Sequence, residues 1–194
     1  KAIVVLKRLE TEADFPQNKT FAQSNLMRCY YDKKDYDNSV VYAEKVLANP
    51  KTDDNVKSDA QIIVARSAVK ANDEGKARTA YANLLKIAKG ELAAEALYYD
   101  AYFKNKDLKY DDSNKSVQKL ARDYSGYKYF GAKGLVVMAK NYYGLSDLYQ
   151  ATYILESVMK NFSEYDDVVQ EAKIELQKIK QEAKKTNESV IQEN

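Results

Sequence analysis

The stretch YYDKKDYDNSVVYA, residues 30–43, and its echo YYGLSDLYQATYIL, residues 142–155, share one layout. Each opens on a tyrosine pair, carries an aspartate five residues after the first tyrosine, and has a small residue, Ser39 or Ala151, four beyond that. Their starts lie 142 − 30 = 112 residues apart, near three steps of about 37, which is a helical-repeat period. Two weaker copies fall between them, at residues 60–86 and 94–124.

Apolar and small residues recur at three and four within each half of a copy, so each copy reads as two helices joined by a short polar turn. The first helices are expected near 20–33, 57–71, 92–105 and 129–143, and the second near 36–48, 75–88, 111–123 and 148–161. Asp35, Asp73 and Asp147 stand just before second helices, where a carboxylate accepts from the unpaired N–H groups of the first turn. Asp53–Asp54, Asp111–Asp112 and Asp166–Asp167 are expected to act likewise, and the turn around Leu108 to Tyr110 reads as longer than the others. The copies also end alike, with ADFPQN at 13–18, LANPKT at 47–52, RDYSGY at 122–127 and KNFSEY at 160–165. Both prolines, Pro16 and Pro50, fall in these endings, as helix breakers should.

The pattern predicts a single all-α domain over 1–194: residues 1–16 as the second helix of a truncated repeat, repeats at 20–50, 57–88, 92–124 and 129–162, and a helix at 166–190. In that last helix Val169, Ala172, Leu176, Ile179 and Ala183 form a narrow apolar stripe expected to cover the final repeat, as a solenoid cap does.

Composition supports this reading. The 194 residues are 45% hydrophobic and 31% charged, with six glycines and two prolines, too few turn formers for a sandwich or barrel. Lys and Arg number 31 against 29 for Asp and Glu, so no global field attracts nucleic acid. There is no histidine and a single cysteine, Cys29, which removes the usual zinc, haem, Ser-His and Cys-His arrangements and any intramolecular disulfide. The longest apolar runs, AIVVL at 2–6 and GLVVMA at 134–139, are far too short to span a membrane. The acidic cluster YDDSN at 110–114 lacks the spacing of a calcium loop, no glycine-rich phosphate loop occurs, and no carboxylate pair is singled out for glycoside hydrolysis. No cofactor or metal is expected, and no enzyme activity.

The repeats resemble the tetratricopeptide family, whose pattern spreads a large residue, Leu-Gly, Tyr, Ala, an aromatic and a closing Pro over two helices. The match falls on Leu26, Tyr30, Tyr36, Ser39 and Pro50; on Val64, Ala65, Ala77 and Tyr81; on Leu97, Ala101 and Ser113; and on Leu135, Met138, Ala139, Tyr142 and Ala151. Asp100 and Lys104 depart from it, standing where Leu and Tyr are expected. The resemblance implies a right-handed helical-hairpin solenoid with a C-terminal capping helix. Tyr30, Tyr36, Tyr81 and Tyr142 would pack between its helices. The longer units and their endings are also similar to bacterial envelope tetratricopeptide proteins, which implies a periplasmic or outer-membrane-associated location.

In that family the first helix of each unit lines the concave surface. Carried over, this geometry puts Phe21, Ser24, Arg28 and Tyr31, then Ile62, Arg66 and Lys70, then Tyr98, Tyr102 and Lys106, then Val136, Lys140 and Tyr143 in an aromatic and basic groove. Arg28, Arg66 and Lys140 occupy equivalent places. They read either as a ladder of cations for an acidic peptide or as ordinary solvated and intrahelical charges. The five-residue clamp by which some members hold a C-terminal carboxylate is not matched. The expected function is a scaffold that displays this groove to a partner protein or peptide; the alternative is a structural spacer or self-association segment of a longer array.

Overall fold

A computed structural model describes the backbone of residues 1–192 and the side chains of residues 1–182. Among the described residues all regular structure is helical: α1 Ala2–Glu12, α2 Pro16–Asp32, α3 Tyr36–Ala48, α4 Asp54–Lys70, α5 Glu74–Ile87, α6 Gly90–Lys106, α7 Tyr110–Asp123, α8 Lys128–Gly144, α9 Leu148–Asn161 and α10 Asp166–Gln192. The chain divides into two compact units, Lys1–Ala96 and Leu97–Asn194. In the first, each of α1 to α4 packs on the next helix and α2 also meets α4. In the second, α7 packs on α8, α8 on α9, and α10 on both α9 and α8. Such neighbour-to-neighbour packing is compatible with a helical-repeat solenoid.

Four turns share one construction. Each has three residues, and the middle one is left-handed: Lys34 (φ 62°), Asn72 (φ 55°), Leu108 (φ 60°) and Ser146 (φ 64°). The turn at Leu108 is therefore the same length as the others, contrary to the sequence expectation. Its apolar, polar-poor appearance comes from a leucine in a place suited to Asn or Gly. Asp35, Asp73 and Asp147 cap as expected, accepting from the backbone N–H of Asn38, Lys76 and Gln150. Asp53 accepts from two, Asn55 and Val56. Asp111 and Asp112 do not cap: the N-cap of α7 is Lys109, which makes no side-chain cap bond. Both aspartates, like Asp166 and Asp167 in α10, lie inside the first turn, where they complement the helix dipole instead.

The small residues expected at close crossings are buried to within 1% in every repeat: Ala65, Ala101 and Ala139 on first helices, and Ser39, Ala77, Ser113 and Ala151 on second helices. Larger side chains fill the intervals. Tyr30 stacks on Tyr42 with centroids 5.6 Å apart, and Tyr81, 2% exposed, donates its hydroxyl to Glu95 at 2.8 Å. Asp100 and Lys104 form a polar unit with Ser116 of α7, at 2.7 Å between the charges and 2.5 Å from Ser116 Oγ to the carboxylate. That bond joins α6 to α7 where the repeat pattern calls for apolar groups.

The stripe on α10 is offset from the expected one. Val168, not Val169, is buried, together with Ala172, Leu176 and Ile179, against Val136, Ala139, Leu155 and Val158. A spacing of four, four and three keeps these residues over the hollow between α8 and α9. The expected Ala183 lies outside the residues whose side chains are described.

Candidate partner-binding face

The three equivalent cations are all paired across to the next first helix. Arg28 Nη2 lies 2.5 Å from Asp59 on α4. Arg66 holds Glu95 on α6 in a two-pronged grip, Nε at 3.0 Å and Nη2 at 2.5 Å. Lys140 lies 2.6 Å from Glu171 and 3.2 Å from Glu175 on α10. The sequence separations are 31, 29 and 31 residues, so the same kind of pair recurs in three of the four repeats. None of the three pairs is intrahelical: each joins a first helix to the helix pair or helix that follows, and Arg28 and Arg66 remain partly solvated.

The ties differ in depth. Arg28 and Asp59 are 44% and 41% exposed at their side chains, whereas Glu95 is 5% exposed. Hydrogen bonding to Glu95 raises the Arg66 guanidinium above its ordinary range in spite of burial. At Lys140 burial acts to lower the ammonium pKa, but the bond and charge of Glu171, with Glu175, outweigh it and the net shift is upward. Both upward shifts favour the charged form of the cation.

One rung of this series is missing. The residue after the small one on α6 is Tyr102 instead of a cation, and the residue six before the small one on α8 is Lys133 instead of an acid. Lys133 makes no ion pair among the described residues. Its ammonium lies 4.9 Å from the ring centre of Tyr98 and 5.5 Å from that of Tyr129. Around it Tyr98, Tyr99, Tyr102, Phe103, Tyr129 and Phe130 form a continuous cluster with centroids 4.9–6.3 Å apart. Tyr129 donates to Asp167 at 2.7 Å. Burial and that bond push its pKa up to about 12. Burial likewise raises Tyr98, so both rings are neutral phenols that present negative π-faces to Lys133.

The remaining expected groove residues separate into buried and accessible. Ile62 is 5% exposed, Tyr98 7% and Val136 0%; these three belong to the core. Ser24 is also buried, its hydroxyl returned to the carbonyl of Phe21 at 3.0 Å. Phe21 is 59% exposed. Tyr31 meets Tyr36 edge-on at 5.6 Å, and Lys70 sits 4.1 Å over the Tyr36 ring while bonding its hydroxyl. Lys106 lies 5.9 Å from Tyr102, and Lys178 lies 5.5 Å from Tyr143. Sequence reasoning missed Lys133, Tyr129 and Phe130 as well as the acids Asp59, Glu95 and Glu171. A usable signal was present: an acid stands six residues before Ala65 and Ala101, and a lysine breaks that rule before Ala139.

Among the described residues no helix is long and apolar enough to cross a membrane, and no group of acidic, cysteine or histidine residues is arranged to hold a metal ion. No protein-family model matches the chain, and no curated protein is significantly similar to it.

Proposed function

We propose that this chain is a protein-binding scaffold of the tetratricopeptide kind, and that it grips a partner segment on the first-helix face of the second unit, around Tyr102, Tyr129 and Lys133. The broken rung carries this reading. At the three equivalent positions Arg28, Arg66 and Lys140 each meet an acid of the following helix pair or of α10; Lys133 stands where that series has an acid, with tyrosine where its counter-charge belongs. A carboxylate side chain from a partner would complete the rung, and an apolar or aromatic neighbour on the same segment would lie against Tyr102 and Tyr129. Aromatic anchors with one oriented charge are the usual composition of a binding hot spot.

Selection of random displayed peptides on the intact chain tests it. Enriched sequences should pair Asp or Glu with an aromatic or large aliphatic residue. Lys133→Glu should abolish their binding and Tyr102→Ala should weaken it by about 1 to 3 kcal/mol, with the helical circular dichroism unchanged. Lack of enrichment, or peptides indifferent to both substitutions, would overturn the assignment.

Self-association is the second reading. It rests on α9 and its preceding turn, where Leu145, Leu148, Tyr149 and Tyr153 are 45%, 42%, 77% and 62% exposed. Sedimentation equilibrium of the wild type and of Tyr149→Ser/Tyr153→Ser decides it: a concentration-dependent mass that the double variant loses supports it.

A further inference from the structure

Corresponding places in the two units are built differently. In the second, the fully buried Asn141 on α8 donates to Ser113 Oγ and Asn114 Oδ1, each at 2.8 Å, and accepts from Asn105 Nδ2 at 2.8 Å. Ser113 passes its own proton to the carbonyl of Ala101 at 2.7 Å. Every part of that carboxamide has a partner inside the chain. Two repeats earlier, at 141 − 74 = 67, stands Ser67 on α4, by the same step that relates Lys140 to Arg66. Ser39 repeats Ser113 and donates to the carbonyl of Met27 at 2.9 Å. The other partners are gone: Val40 replaces Asn114 and Tyr31 replaces Asn105. Ser67 is 7% exposed, and among the described residues its hydroxyl is the buried side-chain polar atom left without a hydrogen bond.

An open cavity of about 640 Å³ lies against it, its apolar lining including Val40, Val41, Ala68, Ala71 and the ring of Tyr36. Gly144 explains why the second unit differs at this point. Tyr110 lies so close to that glycine that a Cβ there would run into the ring. The corresponding residue in the first unit, 144 − 74 = 70, is Lys70, whose side chain prevents Tyr36 from settling in the same way. The volume falls within the range of small-ligand sites, which are also mostly apolar with a few polar anchors.

Five charged residues border the cavity, Asp37 among them, and most are engaged within the chain. Lys76 pairs with Glu44 at 2.9 Å, Asp73 is engaged as the cap of α5, and Lys70 lies on the Tyr36 ring and hydroxyl. At the apolar part of the lining, the serine hydroxyl asks for a neutral group that both donates and accepts.

We propose that this cavity binds a small uncharged molecule bearing a carboxamide on an apolar body, with the carboxamide on Ser67 in the role that the Asn141 side chain plays in the second unit. Benzamide is a suitable probe, with benzoate as its charged counterpart. Titration into the intact chain, followed by backbone amide resonances, should give saturable shifts at Val40, Val41, Ala68 and Ala71. Ser67→Ala should weaken binding about fivefold, the worth of one ordinary hydrogen bond, and leave thermal melting unchanged or raised. Ser67→Asn should abolish binding by filling the site from within; if that variant fails to fold, the alanine variant decides alone. Absence of saturable shifts at these four residues, equal affinity in Ser67→Ala, or benzoate binding as well as benzamide would each overturn the proposal. The site and the peptide-binding face share no residue, so either proposal can fail without the other.

Discussion

Replacing Arg66 by methionine keeps most of its bulk and removes its charge, and the structure makes the consequence specific. Glu95 would lose the two guanidinium bonds, at 3.0 and 2.5 Å, and keep only the Tyr81 hydroxyl at 2.8 Å. Its side chain is 5% exposed, so water cannot readily replace what is lost. Breaking a buried pair from one side costs about 3–5 kcal/mol. Arg66 itself is 40% exposed, which reduces the loss through solvent screening to about 2–3 kcal/mol. For a chain of this size that is a fall in Tm of about 4–12 °C. Glu95→Gln in the Arg66→Met background should recover much of it, because the stranded charge goes with its partner. Arg28→Met supplies the contrast: its pair with Asp59 is about as exposed as Arg66 is, on both sides, and should cost no more than about 0.5 kcal/mol. Far-UV circular dichroism in urea is the appropriate assay, since the chain has no tryptophan. An Arg66→Met loss as small as that of Arg28→Met, or no recovery in the double variant, would refute the argument that depth separates the rungs.

The remaining expectations concern turns, crossings and pH. Leu108→Asn should stabilise the chain by about 1 kcal/mol in urea melts, because leucine is strained at positive φ and at 70% exposure loses no packing on replacement. Lys109→Asp should supply the missing N-cap of α7 and add about 1 kcal/mol by the same measurement. Ala139→Leu, at a site with 0% exposure, should cost about 1–3 kcal/mol by overpacking; no change would mean that α8 is not closely crossed there. Glu10 joins α1 to its neighbours through Lys45 at 2.8 Å, Gln23 at 3.1 Å and Tyr42 at 3.2 Å. Burial acts to raise its pKa, but these bonds outweigh it and hold the carboxyl below its ordinary 4.5. A depressed carboxylate stabilises the fold above the unfolded value and loses that contribution as pH falls through the folded one. The urea midpoint should therefore drop more in the wild type than in Glu10→Gln as the pH falls below the ordinary carboxyl value, and an equal drop in both would refute this role for Glu10.

Helix positions and the small residues at helix crossings were legible in the sequence because both are local. Periodicity along one helix decides which side is apolar, and residues such as Ala65, Ala101 and Ala139 recur at the repeat step whatever lies between them. The caps at Asp35, Asp73 and Asp147 were legible for the same reason, since a carboxylate reaches only the next turn. Asp111 and Asp112 misled because a frame shift of one or two residues turns a cap into an ordinary first-turn acid.

What the charges do was decided only in three dimensions. Arg28, Arg66 and Lys140 find their acids about thirty residues away, 31, 29 and 31 along the chain, and nothing in a single helix announces which of many exposed carboxylates will arrive. Arg28, Arg66 and Lys140 are therefore neutralised by the packing of one helix pair on the next, and Lys133 stands out once the rung it interrupts has been seen. The cavity at Ser67 has the same origin: a hydroxyl in place of a carboxamide means little in the sequence, and leaves an open site only where Val40 and Tyr36 of the neighbouring helix offer it no partner. Periodicity constrains what each helix offers, while the packing of one helix on the next determines which of those offers are already taken.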